Sequence, residues 1–297
     1  MKQKGLFDEE DRLRVLSKLG DSLEKLNEKI NWEIFKPLLK KALTKEPKGL
    51  GGRPAYDYVM MFKIIILQKL YNISDDQTEY QINDRLSFMR FLGLELKDKV
   101  PDAKTIWLFK EKLIEARVSK KLFEKFGKEL AKNNLIGKEG TIIDATIVEA
   151  PIQHNSKDEN EQIKNGKIPE QWQEKQNKAK LSQKDCDARW TKKHKRNYYG
   201  YKDHIKIGEE IEGILKAKGI EGQICERGAR GKPLTKKQKI GNRKKSKIRA
   251  RVEHVFGFMT NSMKGIYVRT IGLARATFSI IMMNLTYNLC RYCYLKK

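Results

Sequence analysis

Two carboxylates stand in settings that call for chemistry. Asp144 sits inside GTIIDATIVEAP, where Thr141, Ile142, Ile143, Thr146, Ile147 and Val148 are β-branched and Gly140 and Pro151 bound the run. That composition predicts a strand, and burying an unpaired carboxylate in so apolar a strand is costly. Asp144 is therefore either on the solvent face of an edge strand or a metal ligand projecting from a sheet. Glu253 is the single acid in KIRARVEHVFGFM. Ile248, Val252, Val255, Phe256 and Met259 share one stripe at helical spacing, which predicts an amphipathic helix. Arg249 lies one turn before Glu253 on the flank of that stripe, where the two can pair. Glu253 is either half of an ordinary surface ion pair or an acid that holds a divalent cation beside a phosphate.

The surroundings of Glu253 bear on that choice. Between residues 227 and 251 there is no acid, while Arg230, Lys232, Lys236, Lys237, Lys239, Arg243, Lys244, Lys245, Lys247 and Arg249 crowd in. The whole chain of 297 residues carries 63 Lys and Arg against 38 Asp and Glu, a net charge of +25. A folded protein this basic repels itself unless a polyanion is near, so nucleic acid is the leading partner class. An anionic membrane is the rival, but the longest apolar run, 59–67, is broken by Lys63. It falls far short of the ~18 residues that a spanning helix needs. The first residues carry no apolar signal core, and a cytosolic location is expected.

Four cysteines (Cys186, Cys225, Cys290 and Cys293) suggest no disulfide framework. Cys290 and Cys293 form a lone CxxC. Neither the other cysteines nor the histidines supply the second ligand pair that a zinc site requires, so buried helical thiols are expected there.

The elements that must position these residues fall into two domains. Residues 1–135 read as all-α, with Leu13, Leu16, Leu19, Leu23 and Leu26 at threes and fours and a strongly apolar helix after the KGLGGRPAYD break. In PDAKTIWLFKEKLIEA, Ile106, Phe109, Lys110 and Leu113 give an apolar and a basic side. This fits either a helix-turn-helix-like reader or a plain helical bundle. Residues 136–297 change character. After the Asp144 strand, 152–196 is polar and reads as a largely exposed insertion. Its end, DARWTKKHKRN, mixes Trp190 with cations that suit a DNA backbone contact or a solvated loop. A second strand, YYGYKDHIKI, puts Tyr199, Tyr201, Asp203, Ile205 and Ile207 on one face. A short helix GEEIEGILKAKG, a short strand EGQICERG, a basic loop, the Glu253 helix and a closing apolar helix follow; the last is expected to pack on the sheet.

An acidic strand and a distant helical Glu in a strongly basic chain resemble the insertion-sequence transposases of the DDE type. The resemblance spans nearly the whole chain. GRPAYDYVMMFKIIILQKLYNISDDQTEYQINDRLSFMRFLGL and PDAKTIWLFKEKL look like the family's helical DNA-binding region, and TIIDATIVEAP like its first acidic strand. DARWTKKHKRNYYGYKDHIKI looks like the second strand, NRKKSKIRARVEHVFGFM like the third-acid helix, and VRTIGLARATFSIIMMNLTYNLCRY also matches. The group's helix signature is Tyr, two residues, Arg, three residues, Glu, six residues, Lys. Arg249 and Glu253 keep its spacing, but Ser246 and Thr260 stand at the Tyr and Lys positions, with Lys264 one turn further on.

The resemblance implies a mixed fold: an all-α DNA-binding domain followed by an α/β RNase H-like domain. It also implies a site in which Asp144 and Glu253 hold two Mg²⁺ or Mn²⁺ ions with a second Asp between them. The expected partner is double-stranded DNA, both element ends and target, with self-association on that DNA and a place at the nucleoid. Phosphate contacts are expected from Lys192, Lys193, Arg196, Arg243, Lys244, Lys245, Lys247, Arg249, Arg251 and Lys264. One departure matters most. The strand-loop-strand block that carries the second Asp has no counterpart, and the chain passes near 207–209 from YKDHIKI straight into GEEIEGILKAKG. Glu149, five residues beyond Asp144, faces the other side of a regular strand. Asp203 could face Asp144 if the register allowed, and Glu209 or Glu210 only if the shortened connection folded back. The expectation is a transposase of impaired activity in a sheet that lacks its central strand. The alternative is a non-catalytic DNA-binding remnant that competes with intact copies. An RNA-binding protein is weaker, for want of an aromatic stacking motif.

Overall fold

The computed structural model describes residues 8–44, 55–135, 142–193, 195–207, 228 and 233–296. The N-terminal part is helical, as its periodicity predicts. It begins with α1 (Asp8–Lys18), α2 (Ser22–Lys29), a 3-10 turn (Trp32–Phe35) and α3 (Lys36–Leu43). Then follow α4 (Tyr58–Tyr71), α5 (Asp75–Asp84), α6 (Leu86–Leu92), α7 (Ala103–Glu115) and α8 (Ser119–Lys132).

The central element is α4. Its sequence YVMMFKIIILQKLY is apolar on every side, and such a helix must be covered on every side. Phe62, Ile64, Ile65, Ile66 and Leu67 are fully enclosed. Lys63 in mid-helix donates to Oδ1 of Asn27 at 2.7 Å and to the Phe91 carbonyl at 3.2 Å, with its ammonium over the Trp32 and Phe91 rings. Burial lowers its pKa, and the bonds and ring faces hold the half-buried charge. Asp57 starts the helix by accepting from the Met60 N–H at 2.8 Å, and Asn72 ends it in the left-handed conformation. On α6, the Arg90 guanidinium reaches Asp21 at 2.6 Å and Glu24 at 3.0 Å, tying α2 to the bundle.

The C-terminal part contains β1 (Ile142–Glu149), α9 (Lys157–Lys164), α10 (Glu170–Gln173), α11 (Lys178–Ser182), β2 (Arg189–Lys193) and β3 (Arg196–Ile207). It continues with α12 (Lys236–Gly257), a π turn (Phe258–Ser262) and α13 (Leu273–Leu295). The described strands form one antiparallel sheet in the order β1-β3-β2. Asp144 lies opposite Ile205, and Thr146 opposite Asp203. Facing residues and alternate residues share a face. Asp144, Thr146 and Val148 are therefore on the face of Tyr201, Asp203 and Ile205. That face is the inner one, since Val148, Tyr199, Tyr201 and Asp203 are buried. Gly200 is required where β3 meets the end of β1: its φ is +154°, and a Cβ there would stand 2.1 Å from the Val148 carbonyl oxygen. The other edge of β1 is met only at its end among the described residues. Glu149 forms a parallel bridge with Tyr267, donating to the Ile266 carbonyl and accepting from the Val268 N–H.

Three expectations need correction. The closing helix α13 does not pack on the sheet alone. Ala276 and Ile280 join Val148, Tyr199 and Tyr201, but Phe278, Met282, Leu285, Leu289 and Tyr292 enter the same core as α4. An all-round apolar helix cannot be satisfied by one neighbour, and α13 is covered by both parts of the chain. The insertion 152–196 is exposed over most of its length, yet it is folded. It carries α9, α10, α11 and β2, and Trp172 at its centre is fully enclosed, with its Nε1–H donating to Glu159 at 2.6 Å. Finally, the basic run from Lys236 onward is no loop. It is the first half of α12, started by a Thr235–Gln238 capping box. The helix expected at 208–219 and the strand expected at 221–227 lie outside the described residues.

Candidate functional site

The two carboxylates singled out by sequence arrive on elements that touch. α12 lies against β1. Its C-terminal end is anchored: Val255 and Met259 are buried with Met263 and Met283, and Phe256 is partly covered. Glu253 sits on the anchored turns with its side chain exposed. β1 places Asp144 by register on the inner face of the sheet. The side chains of Asp144, Ile248, Arg249, Arg251 and Val252 lie outside the described part, so the Arg249–Glu253 pair has no geometry here.

The front half of α12 is different in kind. From 236 to 247 no residue is buried, and Lys236, Lys237, Lys239, Arg243, Lys244, Lys245 and Lys247 share it with no acid. Like charges a turn apart repel, as Lys239, Arg243 and Lys247 must. The helix is held by its cap and its anchored end, and it presents a cationic rod to the surroundings. A second group forms at the β2–β3 hairpin. Lys193 faces Arg196 and Lys192 faces Asn197 across the turn, and the three cations are exposed. Trp190 on the same hairpin is 48% exposed, with its ring centroid 5.2 Å from that of Tyr199. Lys264 is exposed just after the π turn, where Asn72 donates to its carbonyl at 2.7 Å. Thr260, at the signature's Lys position, is exposed within that turn.

Two family models match the chain. A transposase domain (DUF772) matches residues 11–112, and a transposase DDE domain matches residues 212–289. The chain belongs to the DDE transposases of insertion elements. No solved structure matches it. In this transposase the matched stretches take in α2 to α7 at one end and α12 with most of α13 at the other, while β1 and the hairpin lie between them.

The basic side expected on α7 is only partly open to solvent in the transposase. Ile106, Phe109 and Leu113 are buried as foreseen, but Lys110 is ion-paired with Asp75 of α5. The outer face shows Lys104 with Trp107 and Leu108. The CxxC thiols are partly buried on α13, and burial pushes Cys290 up to about 12 and raises Cys293. Both stay protonated at neutral pH in the metal-free protein, as packed helical thiols do.

Sequence reasoning missed two polar junctions on the inner face. Asp185 is buried, accepting from the Tyr201 hydroxyl at 2.5 Å and from the N–H groups of Asp187 and Ala188. Beside this carboxylate, burial holds the Tyr201 phenol far above its ordinary range. Asp203 is 6% exposed, and Nδ2 of Asn284 on α13 donates to its two oxygens at 3.1 and 3.4 Å. Oδ1 of Asn284 is buried with no hydrogen-bond partner among the described residues. The alternation in YYGYKDHIKI already puts Asp203 on the inner face, but nothing local names Asn284. Among the described residues no three His, Cys, Asp or Glu form a metal-holding group, and no helix is long and apolar enough to cross a membrane. The donors near β1 are carboxylate and amide oxygens, the hard ligands that suit Mg²⁺ or Mn²⁺.

Proposed function

We propose that this transposase grips the ends of its own element as double-stranded DNA and cuts and joins that DNA at the junction of β1 and α12, with reduced catalytic power. The observation that carries this reading is the division of α12. Its front half has no buried residue and no acid and carries seven cations, while its rear half, which carries Glu253, is anchored by Val255 and Met259, and the helix as a whole lies against the strand of Asp144. The antiparallel three-stranded sheet is compatible with an RNase H-like domain that lacks the strand-loop-strand block near 207–209.

The cations do the holding. Arg243, Lys244, Lys245, Lys247, Arg249 and Arg251 along α12, Lys192, Lys193 and Arg196 on the hairpin, and Lys264 after the π turn neutralise backbone phosphates. Such contacts fix register and orientation without reading sequence. Asp144 and Glu253 offer carboxylate oxygens to one or two divalent ions at the scissile phosphate. When bound, these ions activate the attacking oxygen and stabilise the leaving one. The block that carries the family's second Asp is absent from the sequence, and this limits the chemistry. Joining two ends calls for two copies on the DNA, at the nucleoid. The second reading is a DNA-binding remnant that competes with intact copies, favoured by the fact that no Asp follows Asp203 in the chain.

The test uses purified protein and labelled DNA carrying the flanks of its own locus, with Mg²⁺ or Mn²⁺, scored in parallel for shifted and nicked DNA. Nicking that is lost in Glu253→Gln supports the transposase with a working site. A shift without nicking selects the remnant, and no shift at all sinks both readings.

A further inference from the structure

We propose that the groove between α3 and α8 is a second seat for duplex DNA, in which Lys121, Lys125 and Lys128 hold neighbouring phosphates of one strand. This rests on the reading of the chain as a DNA-binding protein and goes beyond it, since the cations that carry that reading lie on α12, the hairpin and the turn at Lys264.

The spacing in SKKLFEKFGKELAK sets the surface. Leu122 and Phe126 are buried, and Phe126 packs on α13 with its ring centroid 5.7 Å from that of Tyr292. That inward stripe turns Lys121, Lys125, Lys128 and Lys132, spaced by fours and threes, onto one outward stripe, and all four are exposed. Glu124 and Glu129 stand close enough on the helix to pair with the middle of this stripe. They engage its flank and its end instead: Lys120 reaches Glu124 at 3.8 Å, and Lys132 reaches Glu129 at 3.9 Å. Lys121, Lys125 and Lys128 make no ion pair among the described residues. Like charges one turn apart repel, and an anion laid along them relieves that repulsion.

The three lysines form one wall of a groove of about 300 Å³, and Ile34, Pro37 and Leu38 form the other. Lys41, one turn beyond Pro37 and Leu38 on the same face of α3, is exposed and adds a cation to that side. Charge on both sides selects a polyanion as the occupant. Lysine binds phosphate as a point charge on a flexible stem. Residues 121 to 128 cover about 10 Å of helix, against one phosphate per about 3.4 Å of axis on each strand of a duplex. No aromatic side chain lines the groove, so it lacks the stacking platform on which single strands are held. No arginine or amide side chain lines it either, so it grips the backbone without reading base edges. α8 lies outside both stretches matched by the family models, and the basic helix before it has Lys110 committed to Asp75.

The experiment measures anisotropy of labelled duplex DNA with the full chain over a range of KCl concentrations. Wild type is compared with a variant combining Lys121→Ala, Lys125→Ala and Lys128→Ala, and with Lys244→Ala on α12. A control removes the same charge from exposed Lys18, Lys97 and Lys99, and circular dichroism checks folding. The α8 variant should bind about tenfold more weakly, with the slope of log K against log salt lowered by about 0.9 per lysine, while the control stays within about twofold of wild type. A control that loses as much as the α8 variant assigns the effect to bulk charge and overturns the proposal. If Lys244→Ala weakens binding while the α8 variant binds like wild type, the proposal falls and the DNA reading stands. A wild-type chain that binds no DNA sinks both. Lysine acetylation of the wild-type chain gives a second readout that needs no variant. Protection of Lys121, Lys125 and Lys128 by duplex DNA supports the groove. Equal acetylation with and without duplex, or stronger protection by a polyglutamate peptide, overturns it.

Discussion

The guanidinium of Arg275 closes a two-pronged ion pair on Glu111, Nε to Oε1 at 2.8 Å and the second prong at 2.7 Å. Arg275 lies in the first turn of α13 within the stretch matched by the DDE model, and Glu111 in the second half of α7 within the stretch matched by the other. The pair therefore clamps the two matched parts together beside the shared core. Fork-to-carboxylate geometry favours it, but the Arg275 side chain is 42% exposed, which limits its worth. Arg275→Ala is expected to cost about 1 kcal/mol in urea unfolding, with Glu111→Ala similar and the double variant no worse than either. Fully additive losses would show that the clamp contributes nothing as a pair.

The cationic rod of α12 predicts a salt signature. Each phosphate contact removed should lower the slope of log K against log salt by about 0.9. Lys244→Ala and Lys192→Ala, one on the helix and one on the hairpin, should each flatten the slope for DNA of any sequence. Fluorescence anisotropy over a range of KCl concentrations measures it. A slope unchanged by both substitutions would remove these residues from the interface.

Lys69 predicts a pH dependence. Its ammonium lies between α4 and α13, donating to Oγ of Ser279 at 2.6 Å, and burial lowers its pKa to about 7, with Lys110 and Arg269 pushing the same way. Above that pH the folded form has released a proton that the unfolded chain keeps until about pH 10.4. Stability therefore rises with pH through this window, and the slope vanishes below it, where both forms are charged. Tm should climb between about pH 7 and pH 8.5, below the range where unfolded thiols ionise. Lys69→Met should be more stable at neutral pH and show a flatter profile. An equal climb in the variant would mean that another group is responsible.

Trp172 predicts that the insertion unfolds as a unit. Its ring is fully enclosed, and the Lys180 and Lys184 ammonium groups lie 5.7 and 5.4 Å from its centre. Trp172→Ala removes the only fully enclosed aromatic among the described residues of 152–196 and should cost about 3–5 kcal/mol locally. Limited proteolysis should then cut within 157–182 much faster than in wild type, while α4 stays protected. Equal protection in both proteins would show that the segment does not depend on Trp172.

Local patterns were legible in the sequence because they repeat within a few residues. The largely apolar α4, the β-branched strand around Asp144, the alternation of Tyr199, Tyr201 and Asp203, and the stripe of Val255 and Met259 are each set by the period of a helix or strand. The acid-free run of cations is a matter of composition, and so is the partner class that it implies. These features, with the motifs around Asp144 and Glu253, carried the family.

What the tertiary structure alone decided lies in contacts between distant residues. Lys110 looks like a free cation on its helix, and only the packing of α5 against α7 gives it Asp75. The apolar surround of α13 requires that it be buried, but says nothing of what covers it. The structure places it between the α4 core and the sheet. Whether Asp203 faces Asp144 depends on strand register, because a shift of one residue would send it to the opposite face. Asn284 reaches Asp203 across 81 positions of chain. Period and composition are properties of neighbours in sequence, whereas register and packing are settled only when the whole chain competes for the same interior.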